Sequence, residues 1–265
     1  TVPRMSAEVT DSTGPGRHGS GEVEWGEVEG VTIRFPLVVE EMHSATLTFT
    51  VPFDAARALV PGDAFEVLEA GPGSAMLVIA LCDYLRNPWG DYNEVNVGIL
   101  VHPVGRPEAA GAFVWRMPVD QEFTCAAGRQ VMGVPKTVED ITFTYDGEPG
   151  DPDATVTMRL VMADEPAGSA TLQVRFPRPS SEGVDASVEP AMTYAYLDGI
   201  PMELGLDMEL PPLLLDPATV EVTLGQGALA DELRTLGLPE RPADLAMWGE
   251  SLAATFQVPR PVSGS

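Results

Sequence analysis

What most constrains this chain is the spacing of its apolar residues. From Val31 onward they fall on alternate positions in short runs, the period of a strand in a sheet rather than of a helix. Residues 45–51, 75–82, 95–101, 112–119, 141–145, 155–162, 170–176, 192–196, 219–224 and 254–258 all read as strands. Turn-forming pieces such as Glu148-Pro-Gly-Asp-Pro and Phe176-Pro-Arg-Pro-Ser-Ser separate them. Helical signals are short, at 53–60, 124–131, 228–236 and 243–251. With no repeat of fixed period and no linker, residues 31–262 are expected to form one mainly-β domain, an antiparallel barrel or stacked sheets with a few short helices. Residues 1–30 are polar and acidic and read as a flexible arm, with Trp25 their only aromatic.

Charge narrows the function. Forty acidic residues against fifteen basic give a formal net charge of −25. Such a surface repels phosphate backbones and anionic lipids, so neither nucleic acid nor a membrane surface is an expected partner. The longest apolar run, 75–82, is far too short to span a bilayer. No basic-then-apolar leader is present, and the two cysteines, Cys82 and Cys125, form neither a CxxC nor a zinc spacing. The expected setting is therefore the cytoplasm. Phosphate-loop, GxGxxG, GxSxG and HExxH motifs are absent, and the histidines, His18, His43 and His102, are scattered. Neither a metal nor a cofactor is expected.

Of the fifteen basic residues, fourteen are arginine; the only lysine is Lys136. A compositional bias toward arginine explains the deficit but not the survivor. A solvated lysine exchanges freely for arginine, whereas a lysine that must act as a neutral amine cannot, because guanidinium stays protonated. Lys136 follows Pro135 and an apolar stretch containing Val131, Met132 and Val134. Partial burial there would disfavour its charged form and leave an amine able to attack a carbonyl. The competing reading is a loop lysine paired with Glu139 or Asp140. A proton carrier for imine chemistry is available in the strand that follows Gly90. There Val95, Val97, Ile99 and Val101 share the core face, while Glu94, Asn96, Gly98, Leu100 and His102 share the other. In a barrel that second face can line a cavity.

The segment Asp120-Gln-Glu-Phe-Thr-Cys-Ala-Ala-Gly-Arg-Gln-Val-Met-Gly-Val-Pro-Lys resembles the active-site segment of the acetoacetate decarboxylase family, in which Asp-x-Glu and Gly-Arg-Glu lead through an apolar linker to Pro-Lys. Gly128-Arg129 and Pro135-Lys136 fall at the matching spacing. Tyr92-Asn-Glu94 is similar to the family's Tyr-x-Glu, residues 53–61 to its early helix ending in Val-Pro, and residues 217–224 to a late segment. The resemblance spans roughly residues 31–261. It implies an antiparallel β-barrel assembled into homo-oligomers, with Lys136 the Schiff-base lysine and Glu94 its acid/base partner. Arg129, Tyr92, Met132 and Met117 are the candidate substrate-binding residues, Arg129 alternatively being a structural anchor for its loop. Three departures accompany the match. Thr137 stands where the family has a second lysine, the region of Met42-His43 lacks the family's arginine, and an acidic position falls near Leu77.

The implied function is a Schiff-base lyase acting on a small keto acid or related carbonyl compound, of decarboxylase or aldolase/dehydratase type. The alternative is a non-catalytic β-barrel that binds an apolar or carbonyl ligand.

Overall fold

The computed structural model describes residues 22–163, 169–180, 191–208 and 213–262. The strands are β1 (Val23–Val28), β2 (Val31–Phe35), β3 (Leu37–Pro52), β4 (Phe65–Val67), β5 (Ser74–Arg86), β6 (Tyr92–Pro103), β7 (Gly111–Val119), β8 (Lys136–Val138), β9 (Asp140–Asp146), β10 (Thr155–Val161), β11 (Leu172–Pro177), β12 (Ala191–Leu197), β13 (Ile200–Met208), β14 (Leu213–Leu215), β15 (Glu221–Leu224), β16 (Leu245–Phe256) and β17 (Arg260–Pro261). Three short helices join them: α1 (Phe53–Ala58), α2 (Glu122–Ala127) and α3 (Ala228–Thr235). The mainly-β expectation holds.

Seven strands close on themselves in the order β16-β3-β5-β6-β7-β12-β13, with β13 returning to β16 through Leu206↔Phe256 and Met208↔Ala254. Every joint is antiparallel except β7–β12, which is parallel and short. Closure leaves no free edge around the ring. The β12–β13 hairpin turns on Asp198-Gly199, both with positive φ, as a two-residue hairpin requires.

A second antiparallel sheet, β15-β11-β10-β9, packs on the outside of the barrel. Val156, Met158, Leu172, Val174 and Phe176 bury their side chains against Leu47, Leu77, Ile79, Val97 and Trp248. Phe176 and Trp248 meet with ring centroids 5.0 Å apart. The main core therefore lies between two sheets, outside the barrel. The core face expected for 95–101 is thus the face turned to the second sheet, and its opposite face turns into the barrel, where Glu94, Asn96 and Gly98 line the cavity.

Two expectations need correction. Residues 243–251 are not helical: they begin β16, where Leu245–Gly249 pair with Ser44–Thr48 of β3. Leu, Ala and Met favour a helix locally, but pairing with β3 supplies a full ladder of backbone hydrogen bonds and overrides that preference. The arm expected over residues 1–30 lies outside the described residues as far as residue 21, and Val23–Val28 within it is a strand. That strand pairs with β2, and Val28, Ile33 and Phe35 are buried against Met117, Val131 and Val134.

Candidate active site

The helix α2 is set in place by Gln121. Its side-chain oxygen accepts from the Thr124 amide at the helix start, while its amide nitrogen donates to the carbonyls of Trp89 and Asp91. After Ala127 the helix widens into one π-turn, Gly128–Met132, and stops at Gly133 with φ +71°. A Cβ on Gly133 would lie 2.6 Å from the Tyr196 carbonyl oxygen, so the reversal there admits only glycine. Pro135 then sits at the centre of a three-residue turn closed by the Lys136 amide donating to the Val134 carbonyl at 2.8 Å. The fixed φ of proline suits that turn. It delivers Lys136 into β8, alongside Met117 of β7, with its side chain inside the barrel.

There Lys136 is 5% exposed and Glu94 4%. Lys136 Nζ lies 2.6 Å from Glu94 Oε2, and Asn96 Nδ2 donates to Glu94 Oε1 at 3.1 Å. The Tyr92 ring faces the ammonium with its centroid 5.2 Å from Nζ, and Tyr92 itself stacks on Tyr84 at 4.4 Å. The loop pairing with Glu139 is not formed; that carboxylate accepts instead from the Ala163 amide. A buried ion pair of this kind contributes little net stability, so its presence is weak evidence of a structural role.

The pair lies in the wall of a cavity of about 190 Å³ inside the barrel. Tyr92, Met132 and Met117 line it with Lys136 and Glu94, as the sequence suggests. Arg129 does not. The chain rotates about 100° per helical residue, so Gly128 faces Lys136 and Arg129 turns to solvent, where it is exposed. Leu77, near the expected acidic position, likewise points outward into the core, and the inward residues of β5 are Val78, Ala80, Cys82 and Tyr84. On β3, Met42 turns inward, whereas His43 turns outward and accepts from the Ser251 amide. Thr137 is exposed.

Several lining residues escaped the sequence reading. Cys82 sits directly across from Glu94 in the β5–β6 ladder and 3.7 Å from Ser44 Oγ. Burial pushes its thiol up to about 12, reinforced by the Glu94 charge. Burial also raises Tyr84 and Tyr92 well above the usual phenol range. These groups are neutral hydrogen-bonding walls. For Cys82 and Tyr84 the signal was the even-numbered face of β5, opposite Leu77, Ile79 and Leu81; Tyr92, on β6, is among the sequence candidates. Among the described residues, no cluster of three or more His, Cys, Asp or Glu side chains is arranged to hold a metal, and no helix is long and apolar enough to cross a membrane.

The sequence profile of the family described as acetoacetate decarboxylase matches residues 22–255, most of the chain. The chain belongs to the acetoacetate decarboxylase family. No curated protein matches it by sequence. Among solved structures, this family member is similar to the enduracididine biosynthesis enzyme MppR complexed with pyruvate (18% identity, TM-score 0.58, covering 92% of this chain and 99% of that one). It is also similar to an acetoacetate decarboxylase from Legionella pneumophila subsp. pneumophila (15% identity, TM-score 0.61, 86% and 87% covered). A further acetoacetate decarboxylase matches at 17% identity and TM-score 0.59, with 87% and 90% covered. At these identities the likeness to each structure is one of fold.

Proposed function

We propose that this protein is a lyase of keto acids or related carbonyl compounds that works through an imine on Lys136. The observation that carries the reading is the chain's single lysine, buried in the wall of the barrel cavity with its amine 2.6 Å from a carboxylate. Glu94 accepts a proton from the ammonium, and the freed Nζ attacks the substrate carbonyl carbon. Loss of water leaves a protonated imine, which draws electrons from the bonds of the neighbouring carbon. Glu94 spends its first proton on the departing water; carbon dioxide, an aldehyde or a proton then leaves, and Glu94 carries a second proton, taken from the substrate or from solvent water, to the resulting enamine before water releases the product. The Tyr92 ring face stabilises the cationic imine, and Asn96 holds the carboxylate in line. Support comes from the relative MppR, whose structures hold pyruvate and the condensation product of pyruvate and imidazole 4-carboxaldehyde.

Borohydride reduction in the presence of a ketone tests the reading. The expected result is one adduct, carried by Lys136, and none there in Lys136→Gln. Glu94→Gln leaves the amine in place and is expected to slow turnover about 10²–10⁴-fold. Turnover in Lys136→Gln equal to that of the unaltered protein overturns the imine mechanism.

A further inference from the structure

We infer that, within this imine chemistry, the cavity selects an uncharged carbonyl compound with an apolar substituent over a keto acid of the same shape. The inference rests on the reading of Lys136 as the imine-forming residue. Its basis is the balance of charge inside the barrel. Among the described residues, Glu94 and Lys136 are the only ionisable acid and base of opposite charge in the lining, and they neutralise each other. The described arginines lie elsewhere: Arg116 is held by Glu232, Arg178 by Glu250, and Arg106 and Arg260 by Glu203. The positions from which β3 and β5 face the cavity are filled by Met42, Ser44, Thr46, Val78, Ala80 and Cys82, with no cation among them.

A substrate carboxylate entering this space would place two anions around one cation in a largely apolar enclosure. Burying a carboxylate without its own partner is strongly unfavourable. Forming the imine does not relieve this. The ammonium and the ketone exchange the carbonyl oxygen and two nitrogen-bound protons for water, leaving one positive charge on nitrogen as before. Beside neutral hydrogen-bonding groups such as Ser44, Thr46 and Tyr84, the lining is built from Met42, Met192, Met208, Leu204, Leu206 and Phe256. Thioether and alkyl groups adapt to apolar shapes and offer nothing to an anion. An apolar cavity of about 150 Å³ holds benzene, so 190 Å³ suits a ligand of about six to eight non-hydrogen atoms.

Methyl isobutyl ketone and acetoacetate form a matched pair for the test, because an isopropyl group and a carboxylate are closely similar in shape. Each is titrated against the full-length protein in the presence of borohydride, and the adduct on Lys136 is read by peptide mass spectrometry. Rates are normalised to trapping of each ketone by N-acetyl-lysine, which removes differences in carbonyl reactivity. The expected result is half-maximal labelling at a concentration at least about tenfold lower for the neutral ketone, the order expected from an unpaired buried charge. Equal or tighter labelling by acetoacetate overturns the selectivity while leaving the imine intact. Labelling of Lys136 by neither overturns the imine reading, and the selectivity with it.

Discussion

Replacing Gly128 by alanine separates the chemistry of Lys136 from the stability of the helix beside it. Gly128 has helical dihedrals, φ −58° and ψ −43°, so alanine there is intrinsically favoured by about 1 kcal/mol. Its Cβ, however, would lie 2.7 Å from Lys136 Cδ, 2.8 Å from Cε and 3.1 Å from Val134 Cγ2. Carbon atoms rest at about 3.5–4.0 Å, so the lysine stem must retreat by roughly 1 Å. It is held at both ends, by the β7–β8 ladder at its backbone and by Glu94 at its amine. Displacing a reacting atom by about 1 Å costs on the order of 10²-fold in rate. Trapping of a ketone on Lys136 by borohydride is therefore expected to slow about a hundredfold. The gain in helix propensity and the cost of the contact oppose each other, so Tm is expected to stay within about 4 °C. Trapping within threefold of the unaltered rate would refute a tight seat for the lysine, and a much larger fall in Tm would refute the claim that the contact is local.

Cys82, with its thiol pushed up to about 12 by burial, is expected to resist iodoacetamide at pH 8 in the native protein and to react once urea unfolds it; rapid native alkylation, located by peptide mapping, contradicts its placement. At Glu232 burial opposes ionisation, but hydrogen bonds from Arg116 and Trp115 outweigh it and hold the carboxyl below its usual range. Its contribution to stability is present above the unfolded-state value and is lost as pH falls through the folded one. Glu232→Gln should thus be less stable than the parent at pH 7, with the deficit closing below about pH 4 in urea titrations; a deficit independent of pH contradicts this. Phe176→Ala opens the core between the second sheet and the barrel, and is expected to cost about 3–5 kcal/mol by urea unfolding with imine trapping retained in the folded fraction. Loss of trapping in fully folded protein would contradict the separation of core from cavity.

The parts legible in the sequence are those decided locally. The alternation of 95–101 and the Gly-Val-Pro-Lys delivery of Lys136 each depend on a few adjacent residues. What was not legible depends on partners far along the chain. Residues 245–251 carry helix-favouring side chains and become a strand only because β3, some two hundred positions earlier, pairs with them. In β5 both faces are apolar, one against the second sheet and one around the cavity, so hydropathy alone could not say that Cys82 and Tyr84 look inward. Arg129 shows the converse limit. It is adjacent in sequence to a residue that touches Lys136, yet one step of helix carries it to the surface.

The division of labour between the two barrel faces gives the site its freedom. The outer face builds the main core with the second sheet, so the inner face need not be filled, and it can carry an ion pair that the proposed mechanism uses for chemistry. This has a measurable consequence. Removing one member of a buried pair leaves an uncompensated charge, so Lys136→Met or Glu94→Leu alone is expected to destabilise by about 3–5 kcal/mol. Removing both deletes the desolvation of two ions and adds apolar surface to a cavity already rich in methionine, so Lys136→Met/Glu94→Leu is expected to be as stable as the parent, or more so, and unable to form the imine. Urea unfolding of the four proteins closes the cycle. If the double variant loses as much stability as the two single variants summed, the charges are each held by other parts of the fold, and the pair is there to support the barrel and not to do chemistry.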